Sequence, residues 1–388
     1  VLIFFNHEGH EEHEVWDLFL KSMVKQERNL KMGSSDSFNK SSCPSCSSWC
    51  DTSATHTKGW HPGTLLELSG YYWKTCTLHA AVKLDIFTFI GNDTLTAREM
   101  TQKTGWDARG TTMLLDALAA MALLTKTSSG YANTQAAANF LSKDSDQYIG
   151  YMIQHHHHLA DSWVRMDEAV TQGGPIRERP SVSSEEWREA FLMGMFNNAM
   201  ATAPVVAQSV DLSGCSRLLD MGGGPGTYAI HFCRANPDLT AVVFDLATTR
   251  PFAEKTIQQF GLSDRIQFTE GDYTTGDVPL AQAFDAAWLS HVLHGEGPDK
   301  AAEIVAHAAK TLVPGGHLLI HDFILADTRD RPEFAALFSL NMLLGTDSGQ
   351  SYSESEIREM MIAAGLTDIV RLDYSGPTQS GILKGIKP

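Results

Sequence analysis

The chain of 388 residues carries 30 basic and 46 acidic side chains for a formal charge of −16, with 43% hydrophobic and 20% charged residues. That is an ordinary globular composition with room for two or three domains. The acid excess argues against a nucleic-acid partner, no apolar run approaches the ~18 residues of a membrane span, and the opening VLIFF is followed by glutamates, not a cleavage site. A cytoplasmic protein without a membrane partner is expected.

Residues 1–58 read as a disordered leader. His7, His10 and His13 recur every third residue, a near miss for the H-E-x-x-H spacing that places two ligands on one metal. Cys43, Cys46 and Cys50 lie in a Ser-rich stretch without the second pair that a four-ligand zinc site needs, so no metal is predicted. Met23 or Met32 offers an alternative start.

From Gly63 onward apolar residues fall at helical spacing. Two short helices, a turn at Ser128-Ser129-Gly130 and a strand-like tail follow, in a helix–turn–helix–wing order. The second of these helices, MLLDALAAMALL, is almost wholly apolar with Arg109 the only nearby base. A DNA reader would expose basic and amide groups there, so a buried or dimer-forming helix is predicted. Residues 148–170 read as one helix ended by Gly173-Gly174-Pro175. Its run His155 to His158 is expected to form a polar wall toward solvent or a pocket, since only the outer two share a helical face. EEWREAFLMGMFNNAMATAPVVAQSV continues as a helix into a second region.

Beyond Ser216 the pattern changes to short apolar runs, RLLDM, AVVFD, RIQF, FDAAWL and HLLIHD, separated by helical segments. These predict a parallel sheet covered on both faces. The first run ends in Asp220-Met221-Gly222-Gly223-Gly224-Pro225-Gly226, where glycines admit a ligand close to the backbone at a strand's carboxyl edge. The next strand ends at Asp245, placed to accept hydrogen bonds from ribose hydroxyls. A dinucleotide fingerprint, G-x-G-x-x-G, would need a third glycine where Thr227 stands. The motif is instead D-x-G-x-G-x-G, and a carboxylate at its head suits the sulfonium and ammonium of S-adenosylmethionine better than a pyrophosphate.

These segments, with EGDYTTGDVP, HVLHGEGPDKAAEIVAHAAKTLVPGGHLLIHDFIL and YSESEIREMMIAAGL, resemble class I S-adenosylmethionine-dependent methyltransferases. More narrowly, residues 63–388 resemble the dimeric small-molecule O-methyltransferases of the plant phenolic, acetylserotonin and bacterial natural-product type. The resemblance implies an α/β fold: a Rossmann-like, doubly wound, seven-stranded sheet preceded by a mainly α, winged-helix dimerisation domain. The implied boundaries are 1–58 for the leader, 59–180 for the dimerisation domain and 181–388 for the catalytic domain. It further implies a homodimer that moves a methyl group from S-adenosylmethionine to a hydroxyl of a small-molecule acceptor, leaving S-adenosylhomocysteine.

Carried over by position, Asp220 heads the glycine motif, and Gly222, Gly224 and Gly226 line the methionine part of the cofactor. Asp245 holds the ribose, Asp272 and Tyr273 flank the adenine, and Ser290 takes the place of a cofactor-contacting polar residue. His294 matches the general base, Asp322 its acidic partner, and Met200 and Met342 the methionines that close over the acceptor. His291 reads as packing or support.

Two departures stand out: Gly295-Glu296 follow His294 where Asp-Trp is usual, and Ser351 stands where a second acid is expected. Ser351 reads as an exposed loop residue, and its lost carboxylate keeps sulfur or nitrogen acceptors open beside oxygen. Outside this class stand a nicotinamide-dependent oxidoreductase, disfavoured by Thr227, and a non-catalytic regulator, disfavoured by the acidic charge and the apolar helix.

Overall fold

The computed structural model describes residues 59–179, 184–276, 278 and 284–388. The expected leader, with its histidines and cysteines, lies outside the described residues. The chain divides into two compact units, Val1–Leu68 and Ser69–Pro388. Of the first, the described residues enter helix α1 (Pro62–Gly70).

The second unit opens with helices α2 (Tyr72–Lys83), α3 (Ile86–Ile90), α4 (Ala97–Thr104) and α5 (Ala108–Ala120), then a hairpin of β1 (Leu124–Thr127) and β2 (Gly130–Asn133). Caps set the helix starts. Thr96 and Glu99 close a capping box on α4, and the Asp107 carboxylate accepts from Gly110 N–H at the head of α5. Gly130 holds φ at +135°, and a Cβ there would lie 2.6 Å from the Leu95 backbone, so the hairpin needs glycine to reach that bridge. Helix α5 turns Thr111, Leu115 and Leu118 inward, onto a core with Ile86, Phe87, Met100 and Tyr131.

Helix α6 (Gln135–Phe140) leads to α7 (Gly150–Val164) and α8 (Met166–Gln172). The single helix and polar wall expected here are both corrected. The helix divides at Arg165, and the histidines are packed. His155 is 7% exposed and lies against Phe191, His158 stacks on Trp187 with ring centroids 4.6 Å apart, and His157 meets His79 edge-on. Long-range aromatic partners absorb the run.

Helix α9 (Glu185–Ser209) also departs from the reading that no membrane-length run exists. It is the one described helix long and apolar enough to cross a membrane by length and composition. Asn197 and Asn198 interrupt its apolar residues in sequence. In the fold it packs against α7 and against α10 (Thr227–Ala235), burying Leu192, Gly194, Ala203 and Val206.

The sheet contains β3 (Arg217–Met221), β4 (Thr240–Asp245), β5 (Ile266–Glu270), β6 (Phe284–Ser290), β7 (Leu312–Asp322), β8 (Thr367–Arg371) and β9 (Gly381–Ile386). Their order is β5-β4-β3-β6-β7-β9-β8, parallel except that β9 runs antiparallel to both neighbours. Helices α11 (Arg250–Gln259), α12 (Pro298–Thr311), α13 (Glu333–Gly345) and α14 (Glu354–Ala363) complete the unit. Side chains alternate between two cores. Leu219, Met221, Ala287 and Leu289 face Ile304, Val305 and Met361, whereas Leu218, Val243 and Trp288 face Val206, Ile230 and Ile257. The order reverses between β3 and β6, which opens a crevice at their carboxyl ends.

Candidate active site

Apart from the two methionines, the residues selected from the second region lie on loops or strand ends at that edge. At the end of β3, Asp220 is 1% exposed and accepts from Ala229 N–H at 3.2 Å. Burial pushes its carboxyl up to about 7; the Ala229 hydrogen bond opposes the rise and the Asp245 charge adds to it. Gly222, Gly224 and Gly226 all take left-handed φ, +71°, +53° and +78°. A Cβ at Gly222 would lie 2.7 Å from Val292 Cγ2 and 3.2 Å from the Tyr273 ring, whereas one at Gly224 would meet nothing within 4 Å. The loop is therefore crowded beneath and open above.

At the end of β4, Asp245 Oδ2 accepts from Gly224 N–H at 2.8 Å, and Oδ1 from Leu246 N–H and the Thr249 hydroxyl. Burial raises this carboxyl against those three hydrogen bonds, and Asp272 adds like charge. Asp272, past the end of β5, caps its own turn by accepting from Thr274 N–H and hydroxyl. Three adjacent strands thus aim carboxylates at one crevice, a field suited to a cation.

The pairing of His294 with Asp322 arises from sheet register. Strands β6 and β7 are parallel neighbours, with Ser290 opposite His321. His291 turns the chain with φ +57° and donates its N–H to His321 O, and a 3-10 turn at Leu293–Gly295 then carries His294 back over the strand ends. Asp322 closes β7 directly beneath. His294 Nδ1 lies 2.7 Å from Asp322 Oδ1, and His291 Nδ1 lies 3.5 Å from the same oxygen. Burial would push Asp322 up, but the imidazoles of His294 and His291 beside it outweigh that and hold the carboxyl well below the usual range. An ionised partner fixes the proton on His294 Nδ1 and leaves Nε2 as the acceptor. The ring rests edge-on against Phe338 at 4.7 Å and over Phe323. By donor type and spacing, His291, His294 and Asp322 also form a set able to hold a divalent cation.

The remaining selected residues have plain placements. The Ser290 hydroxyl sits 3.0 Å from Nδ1 of the buried His321. Met342 lies on α13, one helical turn from Phe338. Met200 places its thioether 3.4 Å from His231 Nε2, on the helix after the glycine loop. Ser351 corrects an expectation: it is 1% exposed, and its hydroxyl donates to Ala335 O.

Four residues escaped the sequence reading: Arg179, Tyr352, Arg177 and Phe338. Arg179 reaches Glu296 Oε1 at 2.6 Å and Gly295 O at 3.0 Å, and Tyr352 O–H donates to Glu296 O. The unusual Gly295-Glu296 pair is thus held by an arginine from residues 176–179. Arg177 and Phe338 also belong to this wall. Paired arginines in the loop after Gly174 were the available signal for Arg177 and Arg179; Phe338 had none, since most of α13 is apolar.

The O-methyltransferase domain family matches residues 163–367, and the O-methyltransferase dimerisation domain family matches residues 66–143. The chain belongs to the O-methyltransferase family. A 3-hydroxy-5-methyl-1-naphthoate 3-O-methyltransferase of Streptomyces sahachiroi is 33% identical over 84% of this chain and 95% of its own length. The tetracenomycin polyketide synthesis 8-O-methyltransferase of Streptomyces glaucescens is 31% identical over 87% and 99%. Among solved structures, an O-methyltransferase family protein from Burkholderia thailandensis has 29% identity and a TM-score of 0.77, covering 84% of this chain and 98% of its own.

As an O-methyltransferase, the protein uses S-adenosylmethionine. The crevice fits that group on two counts: glycine is obligatory where the loop crowds Val292 and Tyr273 and open at Gly224, and carboxylates rather than cations line the edge. A pyrophosphate would be repelled there.

Proposed function

We propose that the protein methylates a hydroxyl of a small aromatic acceptor, with His294 as general base and Asp322 as the group that orients it. The observation that carries the reading is the 2.7 Å contact between His294 Nδ1 and an ionised, buried Asp322. S-adenosylmethionine, when bound, supplies a methyl carbon on a sulfonium that a nucleophile can displace. The chain's part is to hold the acceptor hydroxyl at His294 Nε2, receive its proton there, and stabilise the imidazolium through Asp322. Phe323, Phe338 and Met342 supply an apolar wall that packs a ring and excludes water. The printed names of the two Streptomyces relatives, a naphthoate and a polyketide enzyme, support an aromatic hydroxyl acceptor.

For the cofactor, we assign Gly222, Gly224 and Gly226 to the methionine portion, Asp220 to its ammonium, Asp245 to the ribose, and Asp272 and Tyr273 to the adenine. Ser290, carried over as a cofactor contact, meets His321 across the β6–β7 pair and serves there as support for β7. The match of residues 66–143 to a dimerisation domain supports a homodimer, which light scattering tests directly.

The deciding experiment is His294→Gln with labelled S-adenosylmethionine and a panel of hydroxyaryl acceptors. Cofactor affinity should hold while transfer falls by about 10²–10⁴-fold. Undiminished transfer would remove the base assignment.

A further inference from the structure

Residues 176–179 bridge two parts of the wall. The backbone N–H groups of Ile176 and Arg177 donate to Leu344 O at 3.1 and 3.2 Å, and Arg179 holds the loop beside His294 through Glu296 and Gly295. Between those anchors the Arg177 guanidinium lies over the last turns of α13. Its Nη2 donates to Asn341 O at 2.8 Å and to Asn341 Oδ1 at 2.9 Å. Its Nε is shielded from solvent and has no acceptor. Gly345 makes the space, because a Cβ there would come within 2.8 Å of the guanidinium carbon.

Six other arginines of this unit are neutralised or saturated from within. Arg179 meets Glu296, Arg250 meets Glu254 and Glu270, Arg329 meets Glu356, and Arg358 and Arg371 share Glu354. Arg265 has no carboxylate, yet its guanidinium donates to the carbonyls of Cys233, Asn236 and Leu239. Arg177 has neither arrangement: among the described residues no carboxylate lies within ion-pair distance. A partly buried cation left on neutral partners is costly. Burial accordingly lowers its pKa to about 10, and its charge helps to keep the neighbouring His155 neutral.

The position of this cation relates it to the reaction. Phe338, Asn341, Met342 and Gly345 recur at helical spacing and share one face of α13. Phe338 touches the His294 ring at one end, and Asn341 and Gly345 carry Arg177 at the other. Seven residues of helix span on the order of 10 Å, about the separation of groups at opposite ends of two fused rings.

We propose that the acceptor carries a carboxylate or similar anion at the end remote from its reacting hydroxyl, and that Arg177 receives it. The proposal rests on the methyl-transfer reading above and names the class of substrate for that site. Arg177 is then a specificity-determining residue: its guanidinium, whose Nε has no protein acceptor, is a planar donor set of the kind that pairs with a planar anion.

The test uses the full chain saturated with S-adenosylhomocysteine and, as probes, 6-hydroxy-2-naphthoic acid and its carboxamide. Calorimetry should find the acid bound at least about tenfold tighter than the amide, roughly 1.4 kcal/mol. In Arg177→Met that preference should vanish while amide affinity persists, and Arg177→Lys should retain part of it. Equal affinities in the unsubstituted protein, no binding of the acid, or a preference that survives Arg177→Met would each overturn the proposal. The first two outcomes need no variant to fold. Failure of S-adenosylhomocysteine itself to bind would instead strike the underlying site assignment.

Discussion

Two carboxylates at the strand ends behave in opposite ways, and the difference is environmental. Asp322 has two imidazoles to share its charge and stays ionised, whereas Asp220 has one backbone N–H and is held up to about 7 by burial. Between the ordinary aspartate value of 3.8 and about 7, the folded protein holds a proton that the unfolded chain has released. The free protein should therefore lose stability as pH rises through that window. A cation placed beside Asp220 draws the same proton off. S-adenosylmethionine affinity should accordingly rise by about tenfold between pH 5.5 and 7, with proton release. Calorimetry in two buffers of different ionisation enthalpy measures both. A flat affinity would show that Asp220 does not face the ammonium.

At the scale of elements, the strand-to-helix turn after β3 is the most constrained piece of the site. Gly222→Ala would force a side chain into left-handed φ and onto Val292, costing about 1–3 kcal/mol and closing the loop to the cofactor. Gly224→Ala meets no atom and should pay only the backbone term, about 1–2 kcal/mol. Comparing cofactor affinity in the two variants, with circular dichroism to verify folding, separates closure from strain. The turn was legible in the sequence because its glycines and acid are local. So were the five parallel strands, four of which are buried enough to read as short apolar runs. Strand β8 was not, because it is an exposed edge with a mixed pattern, and β9 was missed because Gly and Lys interrupt its six residues. The histidines of α7 misled for a related reason: a polar run says nothing of the Trp187 and Phe191 rings that enclose it.

Across the whole molecule, Trp288 joins the sheet to the site. It is fully buried, with Phe232, Tyr228 and the His321 ring at centroid distances of 5.0, 5.2 and 5.5 Å. Trp288→Ala should cost about 3–5 kcal/mol by urea denaturation. Trp288→Phe should cost far less, because the indole N–H has no acceptor to lose. A larger loss for phenylalanine than for alanine would refute this account of the packing. The His294–Asp322 pair was legible at this scale through family resemblance, since the two residues are 28 apart in sequence and adjacent only through β6–β7 pairing. Arg177 and Arg179 were not, because their importance lies wholly in what the folded chain sets opposite them.

Residues 176–179 are fastened at both ends, to Leu344 on one side and to Glu296 beside His294 on the other. A tether of this kind transmits tension. Whatever draws on Arg177 is felt at the turn that carries the base, and whatever loosens that turn is felt at Arg177. Recognition of the acceptor's far end and alignment of its reacting end thereby become thermodynamically linked. A double-mutant cycle between Arg177→Met and Arg179→Leu, read in kcat/KM, should show a coupling of about 0.5–3 kcal/mol in place of simple additivity. The strap would then work as a gauge that admits to reaction only acceptors of the right length.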